Sequence, residues 1–198
     1  MNLHEYRTTF IVGALVLTLV AASPTLGLVL RLPSGEAFSE LWILGPGHMA
    51  EDYPFNVSSG ENYMVYLGVG NHLGCSAYYT VYVKLRNETE SLPNSTAGTP
   101  SPLEPLFENS SFVRDGETWE TPLYFSFSNV QRFESTTSVK TLMVNGVSFD
   151  VDKPALWDSN NMGYFYQLFI ELWIYNVSAN VLQYHNRFVG LWLNMAET

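Results

Sequence analysis

Cysteine is almost absent from this sequence, which has one among its 198 residues. A single cysteine cannot form an intrachain disulfide, and small secreted domains of eukaryotes usually carry several. The fold must therefore be held by its hydrophobic core. We expect Cys75 itself to be a buried structural thiol rather than a metal ligand or a reactive group.

Basic residues are scarce as well. The chain has 9 Lys and Arg against 19 Asp and Glu, which gives a formal net charge of −10 at pH 7. Such a surface repels phosphate, so nucleic acid is excluded as a partner. The acidity is typical of a soluble face, and a weaker alternative is that the carboxylates collect cations.

Clusters typical of catalysis or metal binding are also missing. Of the 4 histidines, only His72 has a cysteine at metal-binding spacing, Cys75, and a zinc site needs three or four ligands. His48 with Glu51 and Asp52 is more typical of a solvated turn than of acid–base chemistry. No phosphate-binding loop, nucleophile elbow or paired carboxylates are recognisable. We therefore predict no enzyme activity, no cofactor and no metal.

One long apolar run is present, from Phe10 to Leu30, without a charged residue. At 1.5 Å per residue, a helix of this length spans the roughly 30 Å core of a bilayer. We predict a cytoplasmic stub at 1–9, a transmembrane helix at 10–32 and a linker at 33–37. A cleaved signal peptide is the alternative, but Pro24 is a poor neighbour for a cleavage site.

Charge does not decide the topology, because Arg7 and Arg31 flank the apolar run almost symmetrically. The glycosylation sequons decide it instead. Five Asn-x-Ser/Thr motifs predict N-linked glycans. We therefore predict that segment 38–198 is extracytoplasmic and that the chain is a single-pass protein of the cell membrane. The alternative is that a chain rich in Ser, Thr and Asn forms sequons by chance. The predicted sites are Asn56, Asn87, Asn94, Asn109 and Asn176.

The segment 38–198 has the pattern of β-strands, rich in β-branched and aromatic residues and interrupted by Gly and Pro. The predicted strands are 38–44, 62–69, 77–85, 117–127, 141–144, 147–151, 164–175 and 182–193. The strands at 62–69 and 77–85 are expected to be adjacent. A long loop rich in Pro, Ser and Thr is predicted at 87–109, where four prolines exclude a central strand.

Two strand predictions are specific. Asn145-Gly146 favours a type I′ hairpin, because both residues tolerate a positive φ. The strand at 164–175 alternates, with Gln167 and Glu171 on one face, and is expected to be half buried. Seven or eight such strands without an amphipathic helix indicate a mainly β fold, an antiparallel immunoglobulin-like sandwich after one N-terminal transmembrane helix.

Tryptophan divides into two groups by its surroundings. Trp42, Trp173 and Trp192 lie in apolar strands and are expected in the core. Trp119 and Trp157 lie in polar sequence and are the predicted contact residues, since Trp is favoured at interfaces.

Several of these segments resemble the family known as domain of unknown function 1616. The likeness rests on Phe38 to Gly47 followed by Ala50 to Pro54, on Val69-Gly70-Asn71-His72, and on the terminal hairpin ending Leu191-Trp192-Leu193. It implies a surface-exposed β domain of an archaeal membrane protein. It implies no catalytic residues.

These observations together predict a non-catalytic, glycosylated structural or accessory subunit at the cell surface, within a membrane assembly or a filament. Membrane lipid and other protein subunits are its expected partners. The alternative is a monomeric, surface-anchored module that binds carbohydrate or cations.

Overall fold

A computed structural model of the chain describes residues 3–29 and 36–195, and within 3–29 it describes the side chains of residues 6–21. The chain divides into two compact units, Met1–Ala37 and Phe38–Thr198. The first contains one helix, α1, at Leu3–Val29. Most of the linker predicted at 33–37 lies outside the described residues. Among the described residues, no helix is both long enough and apolar enough to cross a bilayer.

The second unit consists of ten β-strands, so the predicted mainly β fold is confirmed. Their bounds are β1 Phe38–Leu44, β2 Asn56–Val57, β3 Asn62–His72, β4 Ala77–Asn87, β5 Phe107–Val113, β6 Thr118–Phe133, β7 Thr136–Val144, β8 Val147–Asp158, β9 Gly163–Asn176 and β10 Val181–Met195.

All ten strands belong to one open sheet with the main order β1-β3-β6-β7-β8-β9-β10-β2, while β4 pairs with β9 and β5 with β4. Only two residue pairs join β8 to β9. The sheet curls at this short junction, so that its two halves share one core. Val65 and Leu67 of β3 pack in the same cluster as Val81 and Val83 of β4. The finer expectation of an immunoglobulin-like sandwich stays a prediction.

The most local sequence signals are confirmed. β1 begins and ends where the pattern predicted. Asn145 and Gly146 have φ angles of 47° and 82°, and they join two strands paired from Val144↔Val147 onward. Two consecutive positive φ angles are those of a type I′ turn, which matches the twist of the flanking strands.

The predicted neighbours β3 and β4 are not paired, so that prediction was wrong. β3 lies between β1 and β6, whereas β4 lies between β5 and β9. The turn after His72 therefore crosses from one half of the curled sheet to the other. Alternating apolar residues give each strand a core face, but they do not determine its partner.

The expectation that β9 is half buried was also wrong, because both of its faces are covered from Gly163 to Leu172. The second face is covered at Glu171 by the loop that runs from 88 to 106, and at Phe165 by the ring of Phe55. The loop predicted at 87–109 is thus shorter, since β5 begins at Phe107. Its Ser101 N–H donates to Glu171 Oε1 at 2.7 Å.

A buried ion pair fixes this loop. Lys84 Nζ lies 3.0 Å from Glu171 Oε2, and the two side chains are 4% and 0% exposed. Lys84 also donates to the carbonyl of Ser101 at 3.1 Å, and Trp173 Nε1 donates to Glu171 at 3.0 Å. Each charge is therefore compensated by its partner and by further hydrogen bonds, as a buried charge requires.

We predict that Glu171→Gln lowers the free energy of unfolding by about 3–5 kcal/mol, because it leaves the Lys84 ammonium buried without its counter-ion. Urea denaturation of the full chain, followed by tryptophan fluorescence, measures this. Arg114→Ala removes the exposed pair with Glu117 and should cost less than about 1 kcal/mol. An equal, small effect of both variants would contradict the prediction.

Candidate functional site

A groove lined by aromatic side chains lies between β1 and β10. Its main cavity has a volume of about 510 Å³, and an adjoining cavity of about 380 Å³ shares Phe55 and Trp192 with it. We call these two cavities the aromatic groove. Its lining includes Trp42, Tyr53, Phe55, Phe165 and Trp192, with Glu88 and Asn161 as polar members.

The aromatic side chains are held in place by specific contacts. A Cβ on Gly68 would lie 2.0 Å from the indole of Trp42, so the absent side chain makes room for that ring. The Arg86 guanidinium lies 5.3 Å from the centre of the Trp192 ring, within cation–π range. Tyr53 donates its hydroxyl to the carbonyl of Ile43 at 2.8 Å. The loop after β1 is thereby tied to β1.

Trp192 is 43% exposed, so its expected place in the core was wrong. The alternation of β10 did not carry a clear signal for this exposure. Trp192 shares its face with Tyr184 and Phe188 as well as with Asn186 and Gly190, whereas Leu191 and Leu193 lie on the other face.

The predicted contact residues are placed differently from each other. Trp119 is partly buried and packs against the core. Trp157 is 40% exposed and meets Tyr164 edge to face at 5.1 Å. Trp157 remains available for contact, and neither residue lines the aromatic groove.

A network of hydrogen-bonded polar side chains lies between β1, β4 and β10. Ser39 Oγ lies 2.6 Å from the Tyr79 hydroxyl and 2.9 Å from His185 Nε2. Tyr79 also donates to Asn71 Oδ1 at 3.2 Å. A Ser–His contact is the geometry of an activated nucleophile, but Ser39 is 1% exposed. This hydrogen-bond network connects the two halves of the sheet.

Two further histidines, His48 and His72, have partners that the sequence did not indicate. His48 Nδ1 lies 2.7 Å from Glu120 Oε1, and its ring stacks on Tyr66. His72 Nε2 lies 3.5 Å from Glu40 Oε2. Within the described ranges, no three His, Cys, Asp or Glu side chains are grouped to hold a metal ion.

Cys75 is exposed, so the expectation of a buried thiol was wrong. It lies in the turn between β3 and β4, next to Gly74, which has a φ of 78°. The Asn71 amide donates to the Cys75 carbonyl at 2.9 Å. This turn crosses from one half of the sheet to the other at the surface, where Gly74 and Cys75 are exposed while Leu73 packs against the core.

The five sequons lie at a strand end, in a loop or on short or edge strands. Asn56 lies on the two-residue strand β2, and Asn109 on the edge strand β5. Asn87 and Asn176 are the last residues of β4 and β9. Asn94 is exposed in the loop 88–106. Their occupancy stays a prediction.

We predict that acid destabilises the fold through His185. Burial, and to a lesser extent the Arg187 charge, lowers the pKa of His185 below its ordinary 6.5. As the pH falls through 6.5, this histidine binds a proton in the unfolded chain before it does so in the folded chain. The free energy of unfolding therefore decreases as the pH drops. Between pH 7.5 and 5.5, urea denaturation should show a smaller loss for His185→Gln than for the wild type. Parallel losses would exclude His185 as the cause.

Comparison with known proteins adds one finding about identity. No curated protein matches the sequence. A solved β-glucosidase from Listeria innocua in complex with gluconolactone is 9% identical with a TM-score of 0.35, and the match covers 80% of this chain and 16% of that one. The same enzyme with isofagomine gives 8% and 0.35, over 81% and 16%. Both likenesses are too weak to indicate a shared fold or function.

A family model does match, over residues 32–137. These residues include β1, the loop that follows it and the strands β3 and β4, where the resemblance in the sequence is concentrated. Because the match covers more than half of the chain, the protein belongs to the family described as Domain of unknown function (DUF1616).

Proposed function

We propose that this protein is a non-catalytic, glycosylated subunit of a membrane assembly or filament at the cell surface, anchored by α1. The observation that carries the proposal is the surface of the helix. Large apolar side chains are exposed along its described part, at Phe10, Ile11, Val12, Leu15, Val16, Leu17, Leu19 and Val20.

These positions surround the helix. Successive residues of an α-helix point about 100° apart, so Leu15, Val16 and Leu17 alone face three directions. A helix that is apolar on all sides is covered either by lipid or by other protein. At about 25 cal/mol per Å² of apolar area, its exposure to water would be costly. This supports an anchor in contact with lipid or with helices of partner subunits.

The β unit supports a binding role rather than chemistry. The contact between Ser39 and His185 involves a Ser39 hydroxyl that is closed off from solvent, while the groove described above is lined by aromatic side chains. We also infer that the two facing halves of the curled sheet form an antiparallel, immunoglobulin-like sandwich. Sequons in a loop, at strand ends and on edge strands, of which Asn56 and Asn94 are exposed, support an extracytoplasmic side for this unit.

A second function is favoured by the aromatic groove. Phe55 is 50% exposed and Trp192 43%, with the polar Glu88 and Asn161 beside them. Aromatic faces with a few adjacent polar groups are suited to stacking on sugar rings. The alternative is therefore a monomeric, surface-anchored module for carbohydrate, or for cations held by the acidic surface.

We predict that the protein extracted from its own membranes in mild detergent forms a particle of fixed stoichiometry. A subunit whose apolar helix contacts partner helices should remain bound to them. Light scattering gives the mass of the particle, and peptide mapping identifies its members. A glycosylated monomer would exclude the subunit proposal and favour the binding module.

We predict that Leu15→Arg/Leu17→Arg releases the protein from membranes. Each arginine near the centre of a membrane helix costs about 2.5–3.5 kcal/mol on insertion scales. Fractionation at alkaline pH, which strips peripheral proteins, measures the retained fraction. Leu15→Ile/Leu17→Ile is the matched control and should stay in the membrane. Retention of the arginine variant would contradict anchoring by α1.

We predict that Asn94 carries a glycan. Its Oδ1 accepts from the Ala97 N–H at 2.9 Å, and no hydrogen bond among the described residues uses its Nδ2. By contrast, Asn87 donates its Nδ2 to the Pro154 carbonyl. Mass spectrometry should show one glycan fewer in Thr96→Ala and no change in Thr96→Ser, which keeps the sequon. A bare Asn94 in the native protein would overturn the prediction.

A further inference from the structure

The cavity of about 380 Å³ is lined by three aromatic rings that come from three separate elements. Phe165 belongs to β9, Trp192 belongs to β10, and Phe55 lies just before β2. Glu88, just after β4, and Asn161, in the turn between β8 and β9, complete the lining. We call these five residues the aromatic cage.

The rings of the aromatic cage do not form a flat platform. Phe165 is only 7% exposed, whereas Phe55 and Trp192 are about half exposed. The centroids of Phe55 and Phe165 lie 6.1 Å apart, and the two ring planes are inclined by 40°. A sugar ring stacks best on a flat aromatic face, whereas a rounded group with an apolar surface fits between inclined rings.

Contacts with neighbouring residues hold the aromatic cage in shape. The Phe55 carbonyl accepts from the Asn194 N–H at 2.7 Å, which fixes Phe55 beside β10. The Arg86 guanidinium lies 5.3 Å from the centre of the Trp192 ring and donates to Gln167 Oε1 at 2.9 Å. Because Arg86 is buried and Trp192 is 43% exposed, part of the indole surface remains open to solvent. A site organised in this way loses less conformational entropy when a ligand binds.

Glu88 gives the aromatic cage a negative charge. Its side chain is exposed, and no ion pair in the described part of the chain involves it. Glu90, by contrast, is paired with Lys153. Burial lowers the pKa of Arg86, and the charges of Glu90 and Glu88 oppose this effect, although Glu88 makes no ion pair with Arg86. The Glu88 carboxylate is therefore free to contact a ligand.

We propose that the aromatic cage binds a small organic cation that carries a quaternary ammonium group. Such a cation is attracted to the faces of aromatic rings within about 6 Å of their centres, and its alkyl groups suit an apolar lining. The cavity volume lies within the roughly 300–1,000 Å³ of ordinary ligand sites. The net charge of −10 favours the approach of a cation over that of an anion. This inference rests on the binding role proposed for the aromatic groove and names its class of ligand.

The test uses the full chain in a polyoxyethylene ether detergent, which has neither a sugar nor an ammonium headgroup. Isothermal titration calorimetry compares choline with its neutral analogue, in which a tert-butyl group replaces the trimethylammonium group. The two molecules have nearly the same shape, so the comparison isolates the effect of the positive charge. Choline should bind at least about tenfold more tightly. Equal affinities, or binding of neither molecule, would overturn the inference.

Charge variants test the role of the carboxylate. Glu88→Gln removes the charge with little change in shape and keeps the sequon at Asn87. It should weaken choline binding roughly three- to tenfold at low salt. Glu104→Gln is the matched control, because Glu104 is exposed but does not line the cavity, and it should leave choline binding unchanged. An equal effect of both variants would mean that only the overall charge of the protein matters, which contradicts a contact with Glu88.

Tryptophan variants locate the site. Trp192→Leu removes one ring of the aromatic cage and should weaken choline binding by about tenfold, while Trp192→Phe keeps an aromatic face and should retain part of the affinity. Trp157→Leu changes an exposed tryptophan that does not line the cavity and should have no effect. Equal losses in Trp192→Leu and Trp157→Leu would exclude the aromatic cage as the site.

Further ligands separate this inference from the proposed functions. Binding of methyl glucoside without binding of choline would keep the binding role of the groove and overturn the cation. Binding of phosphatidylcholine vesicles without binding of free choline would mean recognition of a lipid headgroup and would overturn a small-molecule ligand. A native particle of fixed stoichiometry that still binds choline would support the aromatic cage and remove only the monomeric module. A native monomer that binds methyl glucoside but not choline would remove the subunit proposal and the cation together.

Discussion

The arrangement of the β unit depends on the buried ion pair between Lys84 and Glu171. Two adjacent strands each place a charge on the outer face of the sheet, where either charge alone would be costly to bury. The backbone of Ser101 completes the coordination of both charges. Hydrogen bonds therefore hold the loop 88–106 against the sheet, and the loop buries the outer face of β9 at Glu171.

The position of β9 between β4 and β10 limits its pairing with β8. β9 pairs with both β4 and β10 along most of its length, so only two residue pairs remain for β8. The sheet consequently has few paired residues at the junction of β8 and β9, where it curls. Once it curls there, β1 and β10 approach each other at the opposite side. Ser39 of β1 forms hydrogen bonds with His185 of β10 and with Tyr79 of β4, but no backbone hydrogen bond among the described residues joins β1 to β10.

Local features of this fold are accessible from the sequence, and non-local ones are not. The Asn145-Gly146 turn is predictable because it depends on the φ angles of two residues. The separation of β3 from β4 depends on the curl of the whole sheet, which no short pattern encodes. Alternation placed Glu171 on the polar face of a half-buried strand, because its partner on the neighbouring strand, Lys84, is far away in sequence. The aromatic groove likewise combines residues around Trp42 with residues around Trp192, which alternation alone does not bring together.

The two sides of the sheet differ in how they protect their edges. Natural sheets commonly blunt an exposed edge with short strands, charges or covering loops. β5 follows this rule, because it is short and carries Glu108, the sequon Asn109 and Ser110. The edges of β1 and β10 carry apolar residues instead, Leu41, Ile43 and Trp192. The chain's own segment 53–57 covers part of these edges, through hydrogen bonds to the Ile43 carbonyl and the Asn194 N–H. One side of the sheet is thus protected by polar residues and the other by a covering segment.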